Sequence, residues 1–384
     1  MMTNETTRRA GLPGPALVLL AAAGTFALTM GVRQSMGLFV GDVNTATGLG
    51  LSSVSLAFAV GQLWWGLTQP IAGLAVDRFG TQRVLMLGAL LVAIGTALTP
   101  LMTSTAGLIL AIGVLAAGGA GLAGPAVLMA ATVRLIPLEK RGMATGIVNA
   151  GGSFGQFVFA PVAQGLTAVA GWATAMQSMG AMVLLALPAA WVLRDRPDAA
   201  AATLPAAGAA STAPPAPLAT REPARVAIAR ALAHPSYRLL CAGFFVCGFH
   251  VAFIGTHLPG VVAACGLPPQ VGAWALGVIG LFNIAGSLAM GWAIGFGGGR
   301  WRMKSLLSMV YAARALAVLL FVLAPKTPAV MLSFAAVIGF TYLSTVPPTA
   351  GLVAKFFGPT HMATLFGIVM VSHQVGGFLG AWLG

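Results

Sequence analysis

The sequence is poor in charged residues. Only 7% of its 384 residues are charged and only seven are acidic, whereas soluble domains carry roughly 25% charged residues. Hydrophobic residues make up 58% of the chain. So few charges cannot cover a water-exposed surface, which excludes an ordinary soluble globular protein and indicates a protein of the lipid bilayer.

Cysteine is scarce as well. Cys241 and Cys247 fall near one end of a predicted span and Cys265 near its other end, a spacing that suits neither a metal site nor a disulfide. The tract GGGRWRMKS superficially resembles a phosphate-binding loop, but Met303 stands where that loop requires glycine before Lys304. We therefore expect no metal, no cofactor, no nucleotide-driven pump and no enzyme.

Long apolar runs are abundant. Runs of about twenty apolar residues have the length at which a helix crosses the hydrocarbon core. Prolines inside such runs predict kinks, at Pro125, Pro161, Pro347 and Pro348. We predict an all-α membrane protein with eleven spans, at residues 16–40, 52–76, 84–102, 107–133, 143–168, 172–193, 238–262, 271–295, 304–323, 329–352 and 361–384.

Nearly all positive charge lies on one side of the predicted membrane. Of the 20 Lys and Arg residues, only Lys326 falls in a gap on the opposite side, while Arg33 and Arg314 fall within spans. The positive-inside rule then places the N-terminus in the cytoplasm of a multi-pass protein of the cell inner membrane, which we expect to be a monomer. The net charge of +13 is a topology signal, so no nucleic-acid partner is indicated.

The chain contains an internal repeat. MATGIVNAGGSFGQF, from Met143, recurs as MATLFGIVMVSHQVGGF, from Met362, about 220 positions later. Between the repeats, residues 199–220 are Ala-, Pro-, Ser- and Thr-rich with no charge, as in a flexible linker. Residues 221–238 are either a surface-lying helix or the solvated end of this linker. We predict an N-terminal six-helix bundle at 1–198, a cytoplasmic linker at 199–237 and a C-terminal five-helix bundle at 238–384.

The gap between the second and third spans, PIAGLAVDRFGTQRVLML, concentrates turn-forming and charged residues. A chain that re-enters the bilayer within about ten residues needs glycines for the turn and charges that stay in water. Its pattern resembles the loop between helices 2 and 3 of major facilitator superfamily transporters. The segments MGVRQSMGLFV and LSTVPPTAGLVAKFFGPTHMATLFGIVMVSHQVGGFLGAWLG resemble the monocarboxylate transporter and oxalate/formate antiporter branch.

The resemblance implies the major facilitator fold, with two pseudo-symmetric six-helix bundles. Because this chain has eleven predicted spans, the last helix is missing and we expect a truncated product. In the family, the aspartate matching Asp77 is thought to close the cytoplasmic side through the start of the eleventh helix and a nearby arginine; a turn without a gating role is the alternative. We assign gating or conformational roles to Gly73, Asp77, Arg78, Gly80, Arg83, Arg134 and Lys355.

Arg33 is the strongest candidate for substrate binding. It lies about seventeen residues, or roughly 25 Å of helix rise, into the first span, and Gln34 follows it. An arginine there costs about 2.5–3.5 kcal/mol on insertion scales, so it needs an aqueous cavity or a partner. No acidic residue lies deep in a predicted span, and a guanidinium matches a carboxylate, so a bound organic anion is predicted. The alternative is a side chain that extends to the outer headgroups.

In the family, the basic residue matching Arg33 contributes to monocarboxylate handling. Related carriers also place an arginine in the eighth helix, where this chain has none and Asn283 is the most polar residue. Arg314, in the ninth span, is either a second anion site or packs against neighbouring carbonyls.

Three histidines complete the candidates for the substrate site. His250 and His257 lie seven residues apart on the seventh span, and His373 lies in the eleventh. An imidazole titrates near about pH 6.5, so each is a candidate carrier of a coupling proton. The alternative for each is a hydrogen-bonded contact between helices.

The sequence predicts a secondary active transporter of a small organic anion, a monocarboxylate by its resemblance, that works by alternating access with protons as candidate co-substrates. One alternative is an efflux pump for neutral or hydrophobic compounds, because the lack of deep acidic residues argues against cationic substrates. The other is a non-transporting sensor or defective fragment, which would bind ligand without flux.

Overall fold

A computed structural model describes residues 14–136, 141–195, 224–295, 301–357 and 362–384. All regular structure within these ranges is helical, which confirms the predicted all-α class. The helices are, in chain order, Pro15–Ser35, Met36–Phe39, Val40–Thr47, Leu51–Phe79, Thr81–Leu98, Thr99–Leu101, Thr105–Leu108, Ile109–Ala116, Ala117–Leu122, Pro125–Leu135, Arg141–Val183, Ala186–Val192, Ala224–Ala233, Pro235–Ala264, Pro269–Gly295, Met303–Leu323, Pro328–Thr341, Val346–Phe357 and Met362–Trp382.

These helices correspond to the eleven predicted spans. Within the described ranges, nine stretches are long and apolar enough to cross a membrane. The stretch Gly146–Val192 supplies both the fifth and the sixth span, because Gly171 interrupts it with a φ of 80° and a ψ of 160°. Leu51–Phe79, with 29 residues, is the second span. We number the spans one to eleven accordingly.

Single glycines set the sharpest turns. Gly80 alone separates the second span from the third, with a φ of 85°. A positive φ strains residues that carry a Cβ and is readily adopted by glycine. The predicted tight turn is therefore made by one residue.

Spans four and ten are each broken at a proline. Helix Ala117–Leu122 ends before Pro125, and helix Pro328–Thr341 ends before Val346, which is followed by Pro347 and Pro348. Proline has no backbone N–H and cannot continue the ladder of helical hydrogen bonds. Pro161, by contrast, lies inside a helix that runs on to Gly171 without a break.

The predicted linker is only partly within the described ranges. Residues 199–223 lie outside them, whereas Ala224–Ala233 is a helix, as one alternative for 221–238 required. The helix of the seventh span begins at Pro235, three residues before the predicted 238, and the buried Tyr237 donates a hydrogen bond to the Leu365 carbonyl at 2.7 Å. Proline is favoured in the first turn of a helix, where its missing N–H has no partner to lose.

Spans one to six meet spans seven to eleven at closely packed small residues. A Cβ on Gly37 would overlap the carbonyl of Gly255, and the alanines Ala59, Ala252 and Ala381 pack together. These contacts lie toward the helix ends remote from the Arg- and Lys-rich gaps. At the other ends, Arg78, Arg83, Arg134 and Lys355 are exposed. The described contacts thus close one side of the space between the two sets of spans.

Candidate substrate-binding cavity

A cavity of about 180 Å³ lies between the two sets of spans. Spans one, two, four and five form one wall, and spans seven, ten and eleven form the other. Most of the lining is apolar and includes Met30, Phe58, Ile112, Phe244, Val251 and Met370. The polar lining residues are Arg33, Gln34, Gln62, Trp65, Gln156, Thr256, Tyr342 and His373. A largely apolar cavity with a few convergent polar groups is the usual form of a small-molecule site.

The guanidinium of Arg33 lies in this cavity. Its Nη2 donates a 2.5 Å hydrogen bond to Gln62 Oε1, and its Cζ lies 4.7 Å from the centroid of the Trp65 ring. An aromatic face attracts a cation and is worth about 0.5–2 kcal/mol depending on desolvation. The side chain therefore points toward the centre and not toward the outer headgroups, and two residues of the second span fix its position.

Gln62 extends this contact to the second half of the chain. Its Nε2 donates to Gln374 Oε1 at 3.1 Å, so a hydrogen-bonded chain runs from span one through span two to span eleven. Both glutamines are buried. The Gln62 amide gives the guanidinium an acceptor in place of water, and the Gln374 amide in turn accepts from Gln62.

The Arg33 guanidinium has no described carboxylate partner. In the described part of the chain, a carboxylate forms an ion pair at Asp195, whose partner is Arg134 at the far end of the helices. Asp42 belongs to the helix Val40–Thr47, which lies beyond the cavity. The described contacts of this positive charge in the cavity wall are thus one amide, that of Gln62, and one aromatic face, that of Trp65.

Several buried polar atoms in the same region have no hydrogen-bond partner. They are Trp65 Nε1, Gln156 Oε1, His373 Nδ1 and Gln374 Nε2. A buried polar group without a partner costs about 1–3 kcal/mol. Among the unpartnered atoms that line the cavity, the Trp65 indole N–H is a donor and Gln156 Oε1 is an acceptor. The indole N–H and the Arg33 guanidinium together offer donors to a ligand that enters. This arrangement suits a ligand that supplies acceptor oxygens.

The sequence predictions missed Trp65 and Tyr342. Trp65 follows Gln62 by three residues, so both side chains lie on one face of the second span. This three-residue spacing could have identified Trp65 as a neighbour of Gln62. Tyr342, one of three tyrosines, is the first residue of the break in span ten. Its position in the cavity depends on how span ten packs, which one sequence does not reveal.

The profile of the Major Facilitator Superfamily matches residues 18–381. The chain belongs to this superfamily. Monocarboxylate transporter 13 of Rattus norvegicus is 26% identical over 367 residues, covering 95% of this chain and 80% of that protein. The oxalate:formate antiporter of Oxalobacter formigenes is 30% identical over 196 residues, covering 50% of this chain and 46% of that protein.

The solved structures confirm the major facilitator fold. A bacterial homolog of the human lysosomal transporter Spinster, in its inward-facing and unoccupied conformation, has a TM-score of 0.69. The match covers 96% of this chain and 81% of that one, at 18% identity. At this identity the likeness concerns the fold alone. The chain is thus a multi-pass membrane transporter of the superfamily and not an enzyme.

Of the six predicted substrate residues, the cavity of this major facilitator protein brings together Arg33, Gln34 and His373. His373 packs on Phe244 with ring centroids 4.9 Å apart. The other three lie outside the lining. His257 Nε2 is 2.9 Å from the Ala381 carbonyl, which favours the alternative of a contact between helices.

Asn283 and His250 also lie outside the lining. The amide of Asn283 donates to Ser153 Oγ at 2.8 Å and accepts from the backbone N–H of Leu343 at 3.1 Å. It therefore connects spans five, eight and ten. His250 is half-buried on span seven, and its Nδ1 has no partner.

At the loop between spans two and three, the side chain of Asp77 lies outside the described residues, as do residues 358–361 before the eleventh span. The predicted contact between them is therefore untested. Gly73, Arg83 and Lys355 are exposed, and the Arg78 Cζ lies 5.3 Å from the centroid of the Phe79 ring.

Arg134 makes a different contact, with a residue that the sequence predictions overlooked. Its Nη1 lies 3.0 Å from Asp195 Oδ1. The same carboxylate accepts hydrogen bonds from the backbone N–H of Thr81 at 2.5 Å and from Thr81 Oγ1 at 2.8 Å. Asp195 thus joins the ends of spans three, four and six beside Gly80. In a chain with seven acidic residues, one at the end of a span was a usable signal.

Arg314 lies outside the cavity lining and is 1% exposed. Its Nη2 donates to the carbonyls of Thr341 and of Tyr342, the latter at 3.1 Å. This geometry favours packing against carbonyls, the alternative to a second anion site.

Proposed function

We propose that this protein is a secondary carrier of a small organic anion with one carboxylate. The observation that carries the proposal is the position of Arg33, a permanent cation in the cavity with no described carboxylate beside it. A guanidinium presents two parallel N–H groups that match the two oxygens of a carboxylate. A bound anion would balance the positive charge of Arg33.

The apolar character of the remaining lining favours a monocarboxylate. Away from Arg33 the walls are apolar, with Met30, Phe244 and Met370 among them. A second carboxylate would be desolvated there, and the other ionisable lining side chains are those of His373 and Tyr342. The names of the two relatives, a monocarboxylate transporter and an oxalate:formate antiporter, support an organic acid as substrate.

We also propose that transport proceeds by alternating access of two bundles, 1–198 and 238–384. Close contacts at Gly37 with Gly255, and at Ala59 with Ala381, close one side and support this mechanism. The excess of Arg and Lys supports a cytoplasmic N-terminus in the cell inner membrane. The seven gating residues named above, among them Asp77 and Arg134, then lie at the cytoplasmic side, and a monomer contains the whole cavity.

Proton coupling is proposed to use His373, because it alone of the three candidate histidines lines the cavity. A protonated imidazole would add a positive charge beside the substrate anion. Coupling would therefore join proton entry to anion entry in a symport.

The second candidate function is efflux of neutral or hydrophobic compounds. The predominance of apolar lining favours it. In that case Arg33 would serve the structure of the cavity and not the substrate. A protein that binds an acid without moving it would correspond to the third alternative, a sensor or defective fragment.

The test is uptake into proteoliposomes that contain the purified full chain, with radiolabelled formate, acetate, lactate, pyruvate, oxalate and succinate, with and without a pH gradient. We expect uptake of monocarboxylates by the wild type and its loss in Arg33→Gln, with partial retention in Arg33→Lys. Arg225→Gln, which removes an equivalent charge from an exposed helix, is the matched control. Equal uptake of every acid by wild type and Arg33→Gln would overturn the proposal.

A further inference from the structure

Span ten is interrupted where it faces the cavity. Helix Pro328–Thr341 ends, four residues follow, and helix Val346–Phe357 begins with Pro347 and Pro348. The last carbonyls of a helix have no partner within it, and prolines supply no N–H to replace one. The carbonyls from Phe340 to Leu343 must therefore find donors elsewhere in a buried environment.

All four of these carbonyls accept a hydrogen bond, two from groups close by in the chain and two from the side chain of Arg314. Ser344 Oγ donates to the carbonyl of Phe340 at 2.5 Å. The backbone N–H of Val346 donates to that of Leu343 at 3.0 Å. The carbonyls of Thr341 and Tyr342 both accept from Arg314 Nη2.

Arg314 has no other described function that explains its burial. It lies in the middle of span nine and is 1% exposed, a position at which a charged side chain is unfavourable. The C-terminal end of a helix carries a partial negative charge, which a cation stabilises. The guanidinium is thus a cap for the broken end of helix Pro328–Thr341, contributed by a neighbouring span.

The capped segment forms part of the cavity wall. Tyr342, Leu343 and Val346 all line the cavity. Tyr342 also donates its O–H to the carbonyl of Val251 on span seven, at 2.9 Å. The position of this wall therefore depends on its contacts with spans seven, eight and nine, and Arg314 supplies the contact from span nine.

We propose that Arg314 is a positioning residue of the substrate site. It acts through the Thr341–Tyr342 carbonyls, which set where Tyr342 stands opposite Arg33, and it does not touch the substrate. The proposal rests on the proposed function, because it assigns Arg314 to the shape of the same anion cavity.

The first test is a kinetic comparison with the full chain in proteoliposomes, using the acid of the six-member panel that the wild type takes up fastest. We expect Arg314→Met to raise KM about tenfold or more while the maximal rate changes about threefold or less, since ground-state binding is what the displaced wall weakens. Arg314→Lys keeps the charge and should restore KM in part. Tyr311→Phe, next to Arg314 but bonded to the Gly243 carbonyl, should leave KM unchanged.

A second readout needs no substrate. Hydrogen–deuterium exchange of the peptide over 338–349 should rise in Arg314→Met and remain at the wild-type level in Tyr311→Phe. Only the first variant removes the hydrogen bonds of Arg314, which leaves the Tyr342 carbonyl with Cys247 Sγ at 3.8 Å as its other partner. If Arg314→Met does not accumulate, Arg314→Lys should show the same increase at lower amplitude. Unchanged exchange and KM in a folded Arg314 variant would overturn the inference.

The two proposals fail in different ways. If no acid of the panel is transported, the carrier proposal fails, and the exchange experiment still decides whether Arg314 holds the break. If Arg33→Gln abolishes uptake and Arg314→Met leaves both readouts unchanged, only the role of Arg314 is excluded.

Discussion

Arg33 and Gln62 form the hydrogen bond on which the charge balance of the cavity depends. The 2.5 Å contact from Arg33 Nη2 to Gln62 Oε1 gives the cation a neutral acceptor. Because the acceptor is an amide and not a carboxylate, the positive charge of Arg33 is stabilised in place without being neutralised. In the proposed function, a substrate anion would neutralise it.

Replacing that amide by a carboxylate should block anion transport. In Gln62→Glu, the new carboxylate would lie beside Arg33 as a permanent counter-ion. Because a charged pair is much stronger than the amide contact, we expect uptake of monocarboxylates to fall about tenfold or more. Gln69→Glu, on the same span but outside the cavity lining, is the control. Normal uptake by Gln62→Glu would contradict the view that Arg33 acts through its free charge.

The indole of Trp65 should matter in two separable ways. Trp65→Phe keeps an aromatic face for Arg33 and loses the unpartnered N–H, whereas Trp65→Leu loses both. We expect KM to rise roughly threefold in the first variant and roughly tenfold in the second, in line with a cation–π contact of about 0.5–2 kcal/mol. Uptake kinetics with the same acid check this order, and equal KM values would show that Arg33 does not need the ring.

The pH dependence of uptake should depend on His373. In a symport each anion enters together with a proton, so uptake should rise as the external pH falls below the internal pH. His373→Gln should flatten this profile. His257→Gln, whose parent histidine contacts the Ala381 carbonyl outside the lining, should retain it. An unaltered profile in His373→Gln would remove this histidine from the coupling mechanism.

The close approach of Gly37 and Gly255 makes a steric test of alternating access possible. A Cβ on Gly37 would overlap the Gly255 carbonyl, whereas a Cβ on Gly24 of the same span meets nothing within 4 Å. Gly37→Ala should therefore disfavour closure at this contact and lower the turnover rate, while Gly24→Ala should not. The rate of counterflow exchange measures this difference, and identical rates would argue against closure at this contact.

Asp195 should contribute to stability more than its ion pair alone predicts. Asp195→Ala removes two hydrogen bonds to Thr81 together with the Arg134 contact. One of the two satisfies the backbone N–H of Thr81 at the start of the third span, as a helix N-cap worth about 0.5–2 kcal/mol would. Arg134→Gln removes only an exposed ion pair, worth about 0.2–1 kcal/mol. The thermal unfolding midpoint of the purified protein should therefore fall further in Asp195→Ala. The reverse order would show that the ion pair dominates.

Hydropathy predicted the helices well because the bilayer requires long apolar helices. The start of span seven at Pro235 differs by three residues from the predicted 238. Arg33 was predictable from its burial cost alone. Its partners Gln62 and Trp65 were less so, because pairing across spans depends on helix rotation, which composition does not encode. The role of Arg314 required the break in span ten to be located together with the neighbour that faces it.

Asn283 links the first half of the chain to the break in span ten. Its single amide group holds Ser153 of the first half and the backbone of Leu343 at once. If spans five and eight separated, either the hydrogen bond from Asn283 to Ser153 would break or Asn283 would move with span five. In the second case Leu343, in the break of span ten, would be displaced or would lose its hydrogen bond to Asn283. One side chain thus links the interface between the two sets of spans to Leu343 in the cavity wall.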